Sequence, residues 1–351
     1  MIEIDGSFGE GGVHVLRTSL SLSCLLSKPF HIFNIRKNRK KPGLMPQHLM
    51  GIRSLKLISN ARVEGDSGGS TELFFAPSEV KPGDYFFDIG TAGSTSLLLQ
   101  AILPPLIFAK NSSSITLKGG THVPLSPTFH YISAIFFPVL KKLGMEVKAT
   151  IESYGFYPKG GGKVHVDITP SDALDAVSFL EKGDIKKVYG LSGVGNLPLS
   201  IAERQKKAAL AILASRGINA EIKTISVPTP GQGTFAFLRA ETEKCFAGFS
   251  SLGERGKKAE LVGEEAAQQF LNYYSTSACL DHHLADQIVL YLAVAQSESS
   301  FTTSEISGHL LTNLWVIEKF LDTRYRVEGE RGKPGKITIN PSNADIVQKF
   351  I

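Results

Sequence analysis

Chemistry in this chain is most legible at Glu305-Ile306-Ser307-Gly308-His309-Leu310-Leu311-Thr312-Asn313. Apolar residues Leu310, Leu311, Leu314, Trp315, Ile317, Phe320 and Leu321 follow at helical spacing. Ser307 or Gly308 then serves as the cap, and His309 falls in the first turn. Backbone N–H groups at a helix start point outward and carry partial positive charge. That field disfavours an imidazolium, so His309 is expected to stay neutral and able to act as a nucleophile. The same N–H groups suit a phosphate. The bland alternative is a histidine that only caps or packs. A second histidine, His48 in Gln47-His48-Leu49-Met50, sits at another expected helix start and is the internal rival.

Other stretches point towards phosphates. Gly6-Ser7-Phe8-Gly9-Glu10-Gly11-Gly12 leads into a helix containing Arg17. Its glycines permit close backbone approach to an anion, although no Gly-Lys-Ser/Thr pattern follows. Glu10 is out of place beside a phosphate unless it holds a divalent metal bridging to a nucleotide. Arg36-Lys37-Asn38-Arg39-Lys40-Lys41-Pro42-Gly43 is the densest basic run. Such runs are usually a solvated face, but this one leads directly to Gln47 and His48, as a triphosphate or RNA site would. Tyr154-Gly155-Phe156-Tyr157-Pro158-Lys159-Gly160-Gly161-Gly162 reads as a hairpin loop or a mobile loop near phosphates. In Asp281-His282-His283-Leu284-Ala285-Asp286-Gln287, His283 and Gln287 share a helix face. A nucleotide-base contact suits them better than metal ligation, because adjacent histidines cannot both point one way.

The elements that must position these residues recur. Thr71 to Ser78, Lys163 to Ser171 and Lys336 to Ser342 are alternating strands stopped by Pro-Ser. Each follows a helix and a short strand, with helices expected at about 46–59, 127–143 and from His309 onward. Further upstream lie another helix and strand: 9–26 with 30–35, 93–108 with 114–117, and 283–295 with 301–303. Arg62-Val63-Glu64-Gly65 recurs as Arg326-Val327-Glu328-Gly329. The second and third endings are almost twice as far apart as the first and second, so an insertion precedes the third unit. It is expected to hold helices at about 199–215 and 263–274 and strands near 220–225 and 233–240. The expected class is α+β: three βαβαββ-type repeats, each with helices packed on one face of a mixed four-stranded sheet, plus an inserted small α/β domain. The repeats occupy about 1–80, 81–172 and 278–345. The repeat domain therefore comprises 1–180 and 278–351, and the insert 181–277. A single doubly wound nucleotide fold would not explain three equal endings.

The chain has 351 residues, a formal charge of +5 and three cysteines. The length allows two or three domains, and the mild basicity is compatible with an anionic partner. Cys24, Cys245 and Cys279 suggest neither a disulfide framework nor a zinc site, which fits a reducing cytosol and a cytoplasmic protein. Met1-Ile2-Glu3-Ile4-Asp5 lacks a signal-peptide pattern, and no stretch reaches the ~20 apolar residues of a membrane span.

Taken together, these motifs resemble the RNA 3′-terminal phosphate cyclase family over essentially the whole chain. The resemblance rests on Gly9-Glu10-Gly11-Gly12 with Leu16-Arg17, Ile35-Arg36 with Arg39, and Lys41-Pro42-Gly43-Leu44 with Gln47-His48-Leu49. It continues through Gly90-Thr91-Ala92-Gly93 to Gln100, Gly155-Phe156-Tyr157-Pro158 with Gly160-Gly161-Gly162, Leu284 to Gln287, and Gly308 to Asn313. It implies three related units and an inserted domain. It also implies a nucleotidyl-transfer ligase that closes a phosphodiester ring. The histidine at 309 takes AMP from ATP and passes it to an RNA 3′-phosphate. The neighbouring 2′-OH then closes a 2′,3′-cyclic phosphate with loss of AMP.

In that scheme Arg17 and Arg39 neutralise phosphate charge, and Gln47 holds a phosphate oxygen or the metal shell. Gln100 with His283, Leu284, Ala285, Asp286 and Gln287 holds the nucleoside of ATP. Glu10 positions magnesium or manganese, and Lys37, Lys40 and Lys41 guide the RNA end. Tyr154 departs from the Arg or His usual before Gly-Phe-Tyr-Pro in the family. Among the alternatives, a non-catalytic cyclase-like factor in ribosomal RNA processing would lack His309. An enolpyruvyl-type transferase would need other basic motifs, and a pure RNA-binding module is weakly supported by the charge. A homodimer is compatible with the sequence, and no membrane association is expected.

Overall fold

A computed structural model describes residues 1–9 and 13–341 of the chain. In the first sheet, β1 (Ile2–Asp5) crosses through α1 (Val13–Leu26) to a parallel neighbour, β2 (Phe30–Phe33). Helix α2 (Pro46–Ser59) then leads to the antiparallel pair β3 (Arg62–Glu64) and β4 (Leu73–Ala76). The order is β1-β2-β4-β3. Pro46 opens α2, where its missing N–H costs nothing, and Asn60 closes it in the left-handed region at φ 48°.

The second sheet follows the same path. It uses β5 (Asp84–Asp88), α3 (Thr95–Ile107), β6 (Ser113–Gly119), α4 (Phe129–Tyr131), α5 (Phe137–Lys142), β7 (Glu146–Ser153) and β8 (Gly162–Thr169), in the order β5-β6-β8-β7. Ser94 caps α3 by accepting from the Leu97 N–H. The helix expected at 127–143 is broken by a π-helical turn, Ile132–Phe136. Pro138 supplies the reason: it has no N–H for the carbonyl four residues back, so the hydrogen bonding shifts register there.

The third sheet is stitched from both sides of the insertion. Its edge strand, β9 (Ser178–Phe179), precedes the insert and so lies outside the 278–345 range expected for this unit. The segment between β9 and the third unit's first helix, called the insert below, contains β10 (Ile185–Gly195), α6 (Leu199–Ala214), β11 (Glu221–Ser226), β12 (Gly233–Thr242), β13 (Phe246–Leu252) and α7 (Ala259–Tyr274), with a sheet of its own ordered β11-β10-β12-β13. Strands β10 and β13 carry no expectation from sequence. The chain then returns through α8 (His282–Leu292), β14 (Ser299–Thr303), α9 (Gly308–Phe320), β15 (Arg324–Glu328) and β16 (Gly335–Asn340). The order β15-β16-β14-β9 is that of the other two sheets read from the opposite edge.

Alternate residues of β7 and β15 are exposed, so one face of each sheet meets solvent. The helices on the other faces pack together: α1 lies against α2, α3 and α9, and α8 against α9. One apolar core runs through all three sheets and their helices. A second core, built around Phe249, Phe270 and Tyr273, belongs to the insert. Among the described residues no helix is long and apolar enough to cross a membrane. All three cysteines are buried free thiols.

Candidate active site

Helix α9 begins as its sequence requires. Ser307 is the cap, its Oγ accepting from the Leu310 N–H at 2.9 Å and donating to Asp286 Oδ1 on α8. His309 thus lies in the first turn, half-buried. Asn313, one turn on, joins three helices. Its Nδ2 donates to the Asp286 carbonyl of α8 at 2.8 Å, and its Oδ1 accepts from Thr18 Oγ1 of α1 at 2.8 Å.

Phe8 and Gly9, ahead of α1, lie over the same helix. Gly9 has φ +63°, and a Cβ there would stand 2.5 Å from Thr312 Oγ1 of α9, so only glycine fits. Phe8 stacks on Trp315 with ring centroids 3.9 Å apart. Glu10, the candidate metal residue, lies outside the described residues. Among the described residues no three His, Cys, Asp or Glu side chains form a group able to hold a metal.

Helix α1 brings Arg17 to His309 through an intermediary. The ring of His14 lies 3.8 Å from that of His309, centroid to centroid, and Arg17 Nη2 is 2.8 Å from His14 Nδ1. Arg39 is near enough to act electrostatically on His14. Burial pushes the Arg17 guanidinium down to about 10, partly opposed by Asp286. Asp286 is pushed up to about 8, by burial first and then by Asp281 and Glu305, against the stabilising Ser307 hydroxyl and Arg17. The pair thus faces the His309 turn with one cation that burial disfavours, though it stays charged at neutral pH, and one carboxylate reluctant to ionise.

The other candidate residues divide. Gln47 lines a groove with Arg17, Leu16, Gly51 and Leu97 between α1, α2 and α3. Gln100 on α3 and Gln287 on α8 each carry a buried amide atom, Nε2 and Oε1, without a hydrogen-bond partner among the described residues. Leu284 and Ala285 are fully buried in the core, so they seat α8 and offer a ligand no side chain. His283 is exposed. Partial burial and its neighbours His282 and His309 push its pKa down, an effect that water on its open side damps. Asp281 caps α8 through the Leu284 N–H and also accepts from the Tyr131 hydroxyl and the Gly248 N–H, tying the helix to the second unit and the insert.

Lys37, Lys40 and Lys41 are exposed on the loop after β2. His48 is buried, and its Nδ1 accepts from the Met45 N–H at the start of its own helix. Burial, with Arg36 and Arg17 nearby, pushes it down to about 4. Tyr154 donates to or accepts from His130 Nε2 at 3.1 Å, in an aromatic cluster with Phe235 of the insert. Sequence reasoning passed over His14. Its spacing of three from Arg17 on one helix face was the available signal.

The model of a family described as RNA 3′-terminal phosphate cyclase matches residues 8–327. A protein of that name from Saccharolobus solfataricus is 45% identical over 333 residues, covering 94% of this chain and 97% of its own. Those from Ignicoccus hospitalis and Pyrococcus furiosus are 43% and 44% identical, covering 95% and 97% of this chain and 97% and 98% of theirs. Among solved structures, an EPSP synthase from Acinetobacter baumannii aligns at a TM-score of 0.30 and 12% identity, over 97% of this chain and 47% of that one. On the family model and these full-length relatives, the chain belongs to the RNA 3′-terminal phosphate cyclase family.

Proposed function

We propose that this chain converts an RNA 3′-phosphate to a 2′,3′-cyclic phosphate at the expense of ATP, through a histidine-linked AMP on His309. The observation that carries this reading is the packing of the His309 turn against His14, which is in turn bonded to Arg17. A ring nitrogen of His309 uses its lone pair to form a bond to the α-phosphorus. The bond to the β-phosphate oxygen breaks, and pyrophosphate leaves with that electron pair. Arg17 and Arg39 offset the charge that builds on the phosphates. An oxygen of the RNA 3′-phosphate then attacks the AMP phosphorus as the P–N bond breaks and its electron pair returns to His309. The ribose 2′-OH, giving up its proton to solvent, attacks the 3′-phosphorus and expels AMP.

The orphaned amide atoms of Gln100 and Gln287 fit a nucleoside held between α3 and α8, with His283 and Asp286 beside it. Gln47 reaches a phosphate oxygen, and Lys37, Lys40 and Lys41 meet the incoming RNA. Glu10, with Gln47 at the phosphate oxygen or the metal shell, would hold a divalent metal, magnesium or manganese, which would assist the first step by offsetting phosphate charge. The three like-ordered sheets are, in this reading, copies of one unit spanning 1–180 and 278–351, with 181–277 inserted. A cytoplasmic location and a homodimer belong to the same proposal.

The test is transfer of label from α-labelled ATP to protein in the presence of magnesium or manganese. A phosphoramidate is acid-labile and alkali-stable. Label is expected to vanish in His309→Ala and to survive in His48→Ala. Loss in His48→Ala alone would overturn the assignment. A cyclic end formed on a 3′-phosphorylated oligoribonucleotide checks the later steps. Its absence would favour the non-catalytic cyclase-like reading.

A further inference from the structure

We propose that His14 is a positioning residue for His309: keyed by its bond to Arg17, its planar side chain forms the wall that holds the nucleophilic imidazole in its attacking orientation. This rests on the reading of His309 as the nucleophile. The two rings lie 3.8 Å apart at 44°, and Arg17 Nη2 sits 2.8 Å from His14 Nδ1. A guanidinium only donates, so Nδ1 is the acceptor and the neutral ring keeps its proton on Nε2. Protonating Nδ1 would break that bond and set a cation among cations.

Several charged or titratable groups face this pair. They are Arg17 on the same helix, Arg39 on the loop after β2, and His309 on α9. On α8, His283 acts on His309 and Asp286 acts on Arg17. Glu305 acts on Asp286, and His48 on α2 lies near Arg17. Burial first, then Arg17, His309 and Arg39, hold His14 down to about 2. His14 is therefore neutral throughout any working pH range. It supplies shape and a fixed direction rather than a proton. An apolar ring would pack as well against His309 but would not accept from Arg17. Packing and positioning are thus separable by substitution.

The experiment compares His14→Ala, His14→Phe and His14→Gln. The single-turnover rate constant of adenylylation with α-labelled ATP is measured against pH. The dissociation constant of an α,β-methylene ATP analogue and the melting temperature are measured alongside. We expect Ala and Phe to cut the rate constant by about 10–100-fold while the analogue's affinity stays within about threefold. Gln, whose amide oxygen still accepts from Arg17, restores the rate to within about threefold of the parent. The acid limb of the pH profile stays in place in every variant.

A Phe variant as fast as the parent, a Gln variant as slow as Ala, a loss confined to affinity, or a moved acid limb each overturns the inference. If the parent takes no label, the functional reading has failed instead. The inference is then read from acylation of His309 by diethyl pyrocarbonate, followed by peptide mass spectrometry. That rate should rise by about threefold or more in His14→Ala if His14 walls the ring, and an unchanged rate overturns the proposal.

Discussion

Replacing Asn313 by alanine should unfasten the site at its hinge of three helices. Asn313 and Thr18 are almost wholly buried, at 5% and 6% exposure. The substitution removes an acceptor from Thr18 Oγ1 and a donor from the Asp286 carbonyl. Stranding a buried polar group costs about 1–3 kcal/mol. The two losses are unequal. The Asp286 carbonyl lies within α8 and can still accept along its helix, so it falls at the low end. Thr18 can turn its hydroxyl to the carbonyl one turn back, recovering part of its loss. With the small void left by the amide, the total is about 2–4 kcal/mol.

Urea unfolding followed by Trp315 is the right assay. It is the chain's single tryptophan and sits on α9 itself, packed against the main core rather than the insert's. A double-mutant cycle with Thr18→Val isolates the bond. Thr18→Val should cost about 1–2 kcal/mol in the parent and close to nothing beside Asn313→Ala. Adenylylation should fall by about 100-fold, since α9 is then free to shift against α1. An Asn313→Ala protein within about 0.5 kcal/mol of the parent, or a Thr18→Val cost equal in both backgrounds, would refute this account of how the helices are joined.

Ser307→Ala removes the cap of α9 and the hydroxyl that steadies Asp286, and should cost about 1–2 kcal/mol. The helix start frays and labelling of His309 slows, whereas Ser307→Thr keeps both. Equal labelling in Ala and Thr variants would argue against the cap. The pH dependence follows from neutral buried histidines. Burial, with His130 adjacent, holds His122 well below its usual range, and burial first holds His48 down to about 4. Unfolded, both titrate near 6.5, so between those values the unfolded chain binds more protons than the native one. Stability should therefore be full above about pH 6.5 and fall as the pH drops, by at most about 1.4 kcal/mol per unit per histidine. His122→Phe should flatten the decline in urea midpoint between pH 7 and 5, and an unchanged slope would refute its share.

Sequence reached the alternation of helices and strands because each unit ends at a Pro-Ser stop after a clean two-residue alternation. It also placed His309 in the first turn of its helix, since the apolar run leaves Ser307 or Gly308 as the cap and either choice puts the histidine there. It missed β10 for a physical reason. Gly190 and Gly193 interrupt the apolar pattern there, yet each is required. A Cβ on Gly190 would lie 2.3 Å from the Phe237 carbonyl oxygen, and one on Gly193 would lie 2.2 Å from the Phe235 ring. Two residues make β9, too few for any periodicity. Leu284 and Ala285 read as nucleotide contacts beside His283, but a helix turns 100° per residue and carries them into the core. His14 escaped notice because a histidine next to an arginine looks repulsive until one sees that its nitrogen only receives the guanidinium's hydrogen.

The two-residue strand β9 sets a timetable for biosynthesis. It reaches the ribosome exit before the insert, while its partner β14 and the helix bearing His309 emerge after it. The third sheet must wait across that whole interval, since pairings so distant in sequence form more slowly than local ones. A nascent or truncated chain can hold all the strands of its first two sheets and still lack His309, the proposed nucleophile. If His309 carries the AMP as proposed, a ribosome-stalled fragment ending before α9 should take no label from ATP.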